Sequence, residues 1–400
     1  MNTRWPDVPG AEPFDNQPFN RKLFEKLTGI SWPADGSKSY LELTSELQRK
    51  EDSVIASLDP LFMDPVFPVI HEANARQDLN KLVQILEESV PDAGVCESLS
   101  FYEAAAAMRD LGILLGSIKK LGTEPTEAVG RLGTVLIYLG EKTALPPRDT
   151  LIHYTRWNPA DERMRMYTGL PDERELINSV NLSTYPLYLA IDTLNQLLDI
   201  PARSDRFAAH CRKVSSLFDD VVKGIVHTRK NVSPEVFTRQ LRCFYDPITI
   251  YEQEYIGPGA VEMPMFVYDH LLWSADYNND SYRNFKETYL AYNQESIRNI
   301  YYGAKYSLAT RVAESMTRDD IFCEAVLNSA REVYRLIMKL KGFRAPHLKV
   351  TKAAYASEKS NRKQGSGGYA PDMLQRIMDM NTDAANQLKE TMDEYKKEMA

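Results

Sequence analysis

The stretch that decides the fold reads Lys341-Gly-Phe-Arg-Ala-Pro-His-Leu-Lys-Val-Thr-Lys-Ala-Ala-Tyr355, and the glycine cluster Gly365-Ser-Gly-Gly-Tyr-Ala-Pro371 follows it. Its single histidine, His347, comes directly after Pro346. Proline disfavours a helix interior and glycine often follows a helix end. The pattern therefore predicts that one helix ends near Gly342 and that a new helical segment begins at His347.

Helical periodicity dominates the chain around this stretch. The clearest helix covers residues 100–121, where Ser100 and Glu103 form a capping-box pattern before a run of apolar positions. The alternation at Ile248 and Ile250 predicts a short hairpin. The sequence thus predicts a mainly α fold with few or no strands. Its other helices are predicted at residues 40–57, 66–90, 125–140, 173–198, 204–229, 234–241, 265–275, 279–303, 318–341 and 371–400.

The length of 400 residues suits either one large domain or a large domain with a smaller helical partner. Residues 1–38 contain many prolines and are predicted to be an extended or poorly ordered N-terminal arm. Residues 39–150 are predicted to form the smaller helical part. Residues 151–400 are predicted to form the part that holds His347 and the glycine loop.

Composition excludes several classes of protein. The net charge is −8 and no dense Lys/Arg stripe occurs, which argues against a nucleic-acid partner. The four cysteines are scattered and lack CxxC spacing, as expected for reduced thiols in a cytoplasmic protein. No apolar stretch is long enough to span a bilayer, and the N-terminus lacks the apolar core of a signal peptide. The sequence predicts a cytoplasmic protein with no membrane partner.

His347 is the one histidine whose context suggests chemistry. The six histidines of the chain show no HxxxH, HxH or HExxH spacing, so no local multi-histidine metal motif is present. A lone histidine is usually a surface or packed residue. Neutral imidazole is also a standard axial ligand of haem iron, which requires only one residue from the protein. The residues alone leave both interpretations open.

The glycine cluster does not fit a dinucleotide loop, because its flanks are helical and no βαβ unit is present. It is either a flexible linker or a backbone that approaches a ligand, with the Ser366 hydroxyl as a hydrogen-bond donor. Tyr355 lies two helical turns after His347, near the same face. Candidate partners for ligand carboxylates, which are more ordinarily ion-pair residues, are Arg109, Arg156 and Arg242. Aromatic side chains that could line a pocket, or simply pack in the core, are Trp157, Tyr255, Phe266, Tyr268 and Trp273.

The order of these motifs resembles the haem-dependent indoleamine/tryptophan dioxygenase superfamily. In that superfamily a proximal histidine is followed by a mobile loop and a Gly-Thr-Gly-Gly motif. Here Ser366 replaces the threonine and keeps the hydroxyl. Longer motifs resemble one branch, the monodechloroaminopyrrolnitrin synthases of pyrrolnitrin biosynthesis; these motifs are residues 101–112, 167–173, 255–264, 285–290, 343–349 and 365–371.

The resemblance implies an indoleamine 2,3-dioxygenase-like helical haem protein. It implies a haem b-dependent oxidoreductase that converts 7-chloro-L-tryptophan to monodechloroaminopyrrolnitrin with dioxygen as co-substrate. An external electron donor is compatible with it. His347 then matches the axial ligand of the haem iron. Tyr355, Ser366 and Gly367 match cofactor-binding positions, and Tyr355, Ser366 and Gly368 match substrate-binding positions. No catalytic acid or base is assigned.

Three alternatives stay open at this stage. One is a sibling enzyme of the same superfamily, either a tryptophan 2,3-dioxygenase or an enzyme that hydroxylates an aromatic amino acid. Another is the same kind of enzyme with a different modified tryptophan as its substrate. The third is a helical haem-binding or ligand-binding protein without catalytic activity.

Overall fold

The computed structural model describes residues 40–317, 323–357 and 372–398. The chain divides into two compact units, Met1–Glu51 and Asp52–Ala400. Only the beginning of one helix belongs to the described part of the first unit. The predicted arm, residues 1–38, lies outside the described residues. The predicted boundary between residues 150 and 151 stays a prediction.

The described residues are mainly α-helical, as predicted. The helices of the first half are α1 Tyr40–Ser57, α2 Phe67–Arg76, α3 Leu79–Ser89, α4 Ala93–Ser98, α5 Phe101–Lys120, α6 Pro125–Ala128, α7 Leu132–Thr143, α8 Leu151–Tyr154 and α9 Pro171–Leu197.

The second half continues the helical pattern. Two of its helices are extended by π-helical turns, Phe237–Leu241 after α11 and His270–Ser274 after α12. The helices of this half are α10 Asp205–Asn231, α11 Pro234–Val236, α12 Met265–Asp269, α13 Asp280–Leu290, α14 Glu295–Gly303, α15 Leu308–Thr317, α16 Glu324–Ser357 and α17 Asp372–Glu398. No helix in the described ranges has both the length and the apolar character needed to cross a membrane.

One hairpin accounts for the strands within the described residues. Strands β1, Ile248–Ile250, and β2, Gln253–Tyr255, pair antiparallel with Ile250 opposite Gln253. Tyr251 and Glu252 form the two-residue turn, and both have positive φ, as the tight hairpin turns require. The predicted hairpin is confirmed.

Helix α5 forms where its sequence predicts. The Ser100 hydroxyl accepts from the backbone N–H of Glu103, and the Glu103 carboxylate accepts from the backbone N–H of Ser100 at 2.8 Å. Gly116 lets the helix pack closely, because an added Cβ would collide with the carbonyl oxygen of Phe244. This helix is consequently buried along almost its whole length.

Two large apolar clusters organise the second unit. The first surrounds α5 and takes side chains from α2, α3, α7 and the hairpin. The second is built from α9, α10 and α12 through α17, and includes Phe343 of α16. The predicted site residue His347 therefore lies on a helix of the second cluster.

Several expectations about helices were wrong. Helix α16 does not end near Gly342, and no new segment begins at His347, because the helix continues through Gly342 and Pro346 to Ser357. Packing of α16 against α10 and α17 outweighs the one backbone hydrogen bond that Pro346 removes. Three predicted helices are each two helices: 66–90 is α2 and α3, 125–140 is α6 and α7, and 279–303 is α13 and α14. Helix α15 was not anticipated.

Candidate active site

Helix α16 places Arg344 and His347 on one face, because residues three positions apart are neighbours on a helix. Arg344 is buried and His347 is partly buried. Pro346 lies between them without ending the helix. The two side chains therefore face the same neighbouring elements of the second apolar cluster.

Phe343 contacts His347 and connects it to two further aromatic rings. Its ring lies edge-on to Phe343, with ring centroids 5.9 Å apart. Phe343 contacts Phe218 of α10 at 6.2 Å, and Phe218 contacts Tyr268 of α12 at 5.2 Å. Burial, together with the Arg344 cation, lowers the pKa of His347 to about 4. The imidazole is neutral at neutral pH, so that it carries the nitrogen lone pair that a metal ion uses.

Asp269 is the polar centre beside this aromatic cluster. Its carboxylate pairs with Arg344 and accepts from the Tyr282 hydroxyl at 2.5 Å. It also accepts from the Trp273 indole N–H at 3.1 Å. Side-chain exposure is 5% for Arg344 and 0% for Asp269. The buried charges are thus paired and hydrogen-bonded, as burial of an ion pair requires.

Two buried donors of this region lack an acceptor among the described residues. They are the Tyr268 hydroxyl and Nη1 of Arg344. Leaving a buried donor unpaired typically costs about 1–3 kcal/mol. An acceptor oxygen placed at either donor would satisfy it. Burial raises the pKa of Tyr268 well above its usual range, with a further contribution from Asp269, so its hydroxyl keeps its proton.

Comparison with models of protein families matches residues 67–398 to the family described as monodechloroaminopyrrolnitrin synthase PrnB. The match covers most of the chain and includes helices of both apolar clusters.

The chain belongs to the PrnB family.

Membership makes the chain an enzyme, an oxidoreductase of pyrrolnitrin biosynthesis that acts on a tryptophan derivative. The helical fold fits this family, since its architecture is mainly α and of the indoleamine 2,3-dioxygenase-like kind. All six long motifs that carried the resemblance lie inside the matched residues.

The structure describes only part of the residue set predicted for a PrnB-type site. His347 is described on α16, in the aromatic surroundings given above. Tyr355 belongs to the last turns of α16, but its side chain lies outside the description. Ser366, Gly367 and Gly368 also lie outside the described residues. Their roles stay predictions.

The three candidate arginines differ in their hydrogen-bond partners and burial in the structure. Arg109 is saturated, because it pairs with Asp110 and donates to the carbonyl oxygens of Ile55, Leu58 and Trp157. Arg156 pairs with Asp52 but keeps one buried nitrogen, Nη1, without an acceptor among the described residues. Arg242 is buried.

Of the five candidate aromatics, two are linked to the His347 helix through one intermediate residue. Tyr268 packs against Phe218, which contacts Phe343 of α16. Trp273 donates to Asp269, which pairs with Arg344 of α16. Phe266 is buried in the same apolar cluster. Trp157 belongs to a different, smaller cluster and donates to Asp52. Tyr255 is in the hairpin. Trp157 and Tyr255 therefore lie outside the apolar cluster that contains Phe266, Tyr268 and Trp273.

Sequence reasoning missed Asp269 and Tyr282. Asp269 lies 75 positions from Arg344 along the chain, and no local pattern links them. One signal was available: Arg344 precedes His347 by one helical turn, and an arginine on a largely apolar helix face requires a buried carboxylate partner.

Proposed function

We propose that this chain is a haem b-dependent oxygenase that converts 7-chloro-L-tryptophan to monodechloroaminopyrrolnitrin. The observation that carries the proposal is the family match over residues 67–398. His347 supports it, because a partly buried neutral imidazole is what an axial position needs.

The residues around His347 fit a haem. The rings of Phe343, Phe218 and Tyr268 supply an apolar environment of the kind that a flat macrocycle requires. The unpaired donors on Tyr268 and Arg344 suit a cofactor that carries carboxylates, as haem does with its propionates. A single histidine is sufficient as the protein ligand.

His347 would hold the iron through one ring nitrogen. When bound, haem supplies the centre at which dioxygen is activated. The aromatic cluster would exclude water from that side. Tyr355, Ser366 and Gly367 would contact the cofactor, and Tyr355, Ser366 and Gly368 would orient the substrate. The proposed conversion opens the indole ring, forms the pyrrole ring and loses the carboxyl carbon, with dioxygen as oxidant and an external donor supplying any electrons required.

The experiment is an absorption spectrum of the purified protein, followed by titration of the ferric form with L-tryptophan and 7-chloro-L-tryptophan. We expect a Soret band that shifts at lower concentration of the chlorinated ligand. His347→Ala should lose most of its haem. The matched control is His210→Ala, because within the described ranges the His210 ring bonds to the carbonyl oxygen of Arg206 on its own helix.

The product mass tests the reaction itself. Loss of the carboxyl carbon agrees with the proposal, whereas addition of two oxygen atoms without carbon loss indicates a tryptophan 2,3-dioxygenase reaction. A His347→Ala protein with full haem content and full turnover contradicts the axial assignment. No Soret band after haem addition favours a ligand-binding protein without this catalysis.

A further inference from the structure

Tyr282 and Trp273 donate hydrogen bonds to the same carboxylate, that of Asp269. The Tyr282 hydroxyl donates to Oδ2 at 2.5 Å, and the Trp273 indole N–H donates to Oδ1 at 3.1 Å. Asp269 is also paired with Arg344, and an ionised carboxylate accepts hydrogen bonds without donating any. The hydroxyl bond has the short length of a charge-assisted bond. Each of the two aromatic side chains therefore has a proton acceptor in direct contact.

The two rings are also stacked on each other. The ring centroids of Tyr282 and Trp273 lie 5.7 Å apart, with only 10° between the ring planes. Trp273 then meets Tyr277 edge-on, with 5.4 Å between the centroids. Tyr282 and Trp273 are each 2% exposed, whereas Tyr277 is partly exposed. The three rings thus form a continuous path from the interior to the surface.

The inner end of this path is tied to the helix that carries His347. Asp269, which accepts from Tyr282, pairs with Arg344 of α16. Arg344 lies three residues before His347, and positions three apart are neighbours on one helix face. The path therefore begins beside the turn of α16 that carries the candidate axial ligand.

All three side chains of the path can be oxidised by one electron. Tyrosine and tryptophan are the aromatic side chains that lose an electron most readily, and phenylalanine resists the same oxidants. An oxidised phenol is a far stronger acid than the phenol itself, so the electron leaves easily only if a base takes the hydroxyl proton. Burial and the nearby Asp269 raise the pKa of Tyr282 well above its usual range. The resting Tyr282 hydroxyl therefore keeps its proton and transfers it only on oxidation.

We propose that Tyr282, Trp273 and Tyr277 form a relay that carries one-electron oxidising equivalents from the cofactor to the surface. The inference rests on the proposed function and adds a protective redox role to it. A haem that is oxidised while no substrate is bound takes one electron from Tyr282, whose hydroxyl proton passes to Asp269. Tyr282 then regains an electron from Trp273 and the proton from Asp269. The oxidised Trp273 in turn gives its N–H proton to the same carboxylate.

The last steps move the oxidising equivalent into solvent. Tyr277 gives an electron to Trp273, which recovers its proton from Asp269, and the Tyr277 hydroxyl proton passes to water. A soluble thiol or ascorbate then returns one hydrogen atom to Tyr277. In sum, one electron moves from the soluble reductant to the cofactor, one proton is released to water, and each residue ends as it began. The relay would spare the buried site from oxidation of its own side chains.

The test treats the ferric haem-loaded protein with hydrogen peroxide and a spin trap that adds to tyrosyl radicals. Tandem mass spectrometry then measures the trapped fraction of each tyrosine. We expect Tyr277 to carry more trap than Tyr251 or Tyr302, although these two are each 68% exposed. Radicals that diffuse through solvent would label the two exposed tyrosines first, and that result overturns the relay.

Two variants interrupt the relay. Tyr282→Phe keeps the ring but removes the hydroxyl that donates to Asp269. Trp273→Phe removes the oxidisable indole from the stack. In each variant the trapped fraction at Tyr277 should fall severalfold, to the level measured at Tyr251. The Soret band confirms equal haem loading, and either variant serves alone if the other does not fold.

The matched control is Tyr289→Phe. Tyr289 lies on the same helix α13 as Tyr282, but Phe285 separates the two rings. This variant should keep the trapped fraction at Tyr277, and its loss here as well contradicts the path. Unchanged labelling of Tyr277 in haem-loaded Tyr282→Phe or Trp273→Phe overturns the relay alone. Absence of a Soret band from the wild-type protein after haem addition overturns the proposed function instead.

Discussion

Arg344 pairs with Asp269 in the interior, one helical turn before His347. The pair joins α16 to α12, two elements that are far apart in sequence. Through Asp269 the same contact reaches Tyr282 and Trp273, so that four side chains fix the part of α16 that carries the candidate axial ligand.

Removal of the Asp269 charge should destabilise the protein strongly. Asp269→Asn leaves the Arg344 cation buried without its partner, and such changes typically cost about 3–5 kcal/mol. The free energy of unfolding from urea titration checks this. Glu235→Gln, which breaks an exposed pair with Arg239, should cost less than about 1 kcal/mol. Equal losses of unfolding free energy in the two variants would contradict a larger contribution from the buried pair.

Two glycine-to-alanine changes should have opposite signs. Gly116→Ala on α5 collides with the Phe244 carbonyl and lies 2.7 Å from the Tyr167 ring, so we expect a loss of about 1–3 kcal/mol. Gly342→Ala on α16 meets no described atom within 4 Å and should gain about 0.5–1 kcal/mol, since alanine favours helix. Thermal unfolding measures both. A destabilised Gly342→Ala protein would contradict the continuous helix.

The pH dependence of stability should carry the signature of His270. Burial and the nearby Lys286 lower the pKa of His270 to about 4, from its ordinary 6.5. Between these values the unfolded state binds the proton and the folded state does not, so stability falls as pH falls. His270→Gln lacks this loss. The stability advantage of the wild type over the variant should shrink by about 1.4 kcal/mol per pH unit from about pH 6.5 to pH 4.

Urea titrations of both proteins at several pH values test this expectation. Parallel stability curves for the wild type and His270→Gln would mean that His270 titrates alike in the folded and unfolded states.

The N-terminal cap of α5 should contribute measurably to the free energy of unfolding. Ser100→Ala removes the hydroxyl that accepts from Glu103 N–H, and such changes typically cost about 1 kcal/mol. Ser100→Thr keeps the hydroxyl and should cost clearly less. Chemical denaturation gives the free energy of unfolding of both variants. A larger loss for Ser100→Ala than for Ser100→Thr supports the capping role, and equal losses contradict it.

The fold was predictable where local signals are sufficient. Ser100 and Glu103 predict the start of α5, because the capping box is a contact between residues only three positions apart. The hairpin was predictable from alternation at Ile248 and Ile250. The helix boundary predicted from Pro346 was wrong. Proline acts on the local backbone, whereas the continuity of α16 depends on its packing against helices distant in sequence.

The candidate site was predictable only in part. The motif around His347 singled out one histidine of six, and general chemistry supplied three candidate arginines. Sequence could not choose among those arginines, because their partners come from distant parts of the chain. Arg109 is saturated by backbone carbonyls, whereas Arg156 pairs with the Asp52 carboxylate. It could not find Asp269 for the same reason.

The course of α16 through Gly342 and Pro346 has a mechanical consequence. A proline inside a helix leaves the carbonyl oxygen four residues earlier without its usual donor, here that of Gly342, and glycine adds no side-chain stiffness. This 34-residue helix therefore bends most easily in the turn that contains Arg344. Bending of α16 would change its direction next to His347, close to the point where Arg344 pairs with Asp269.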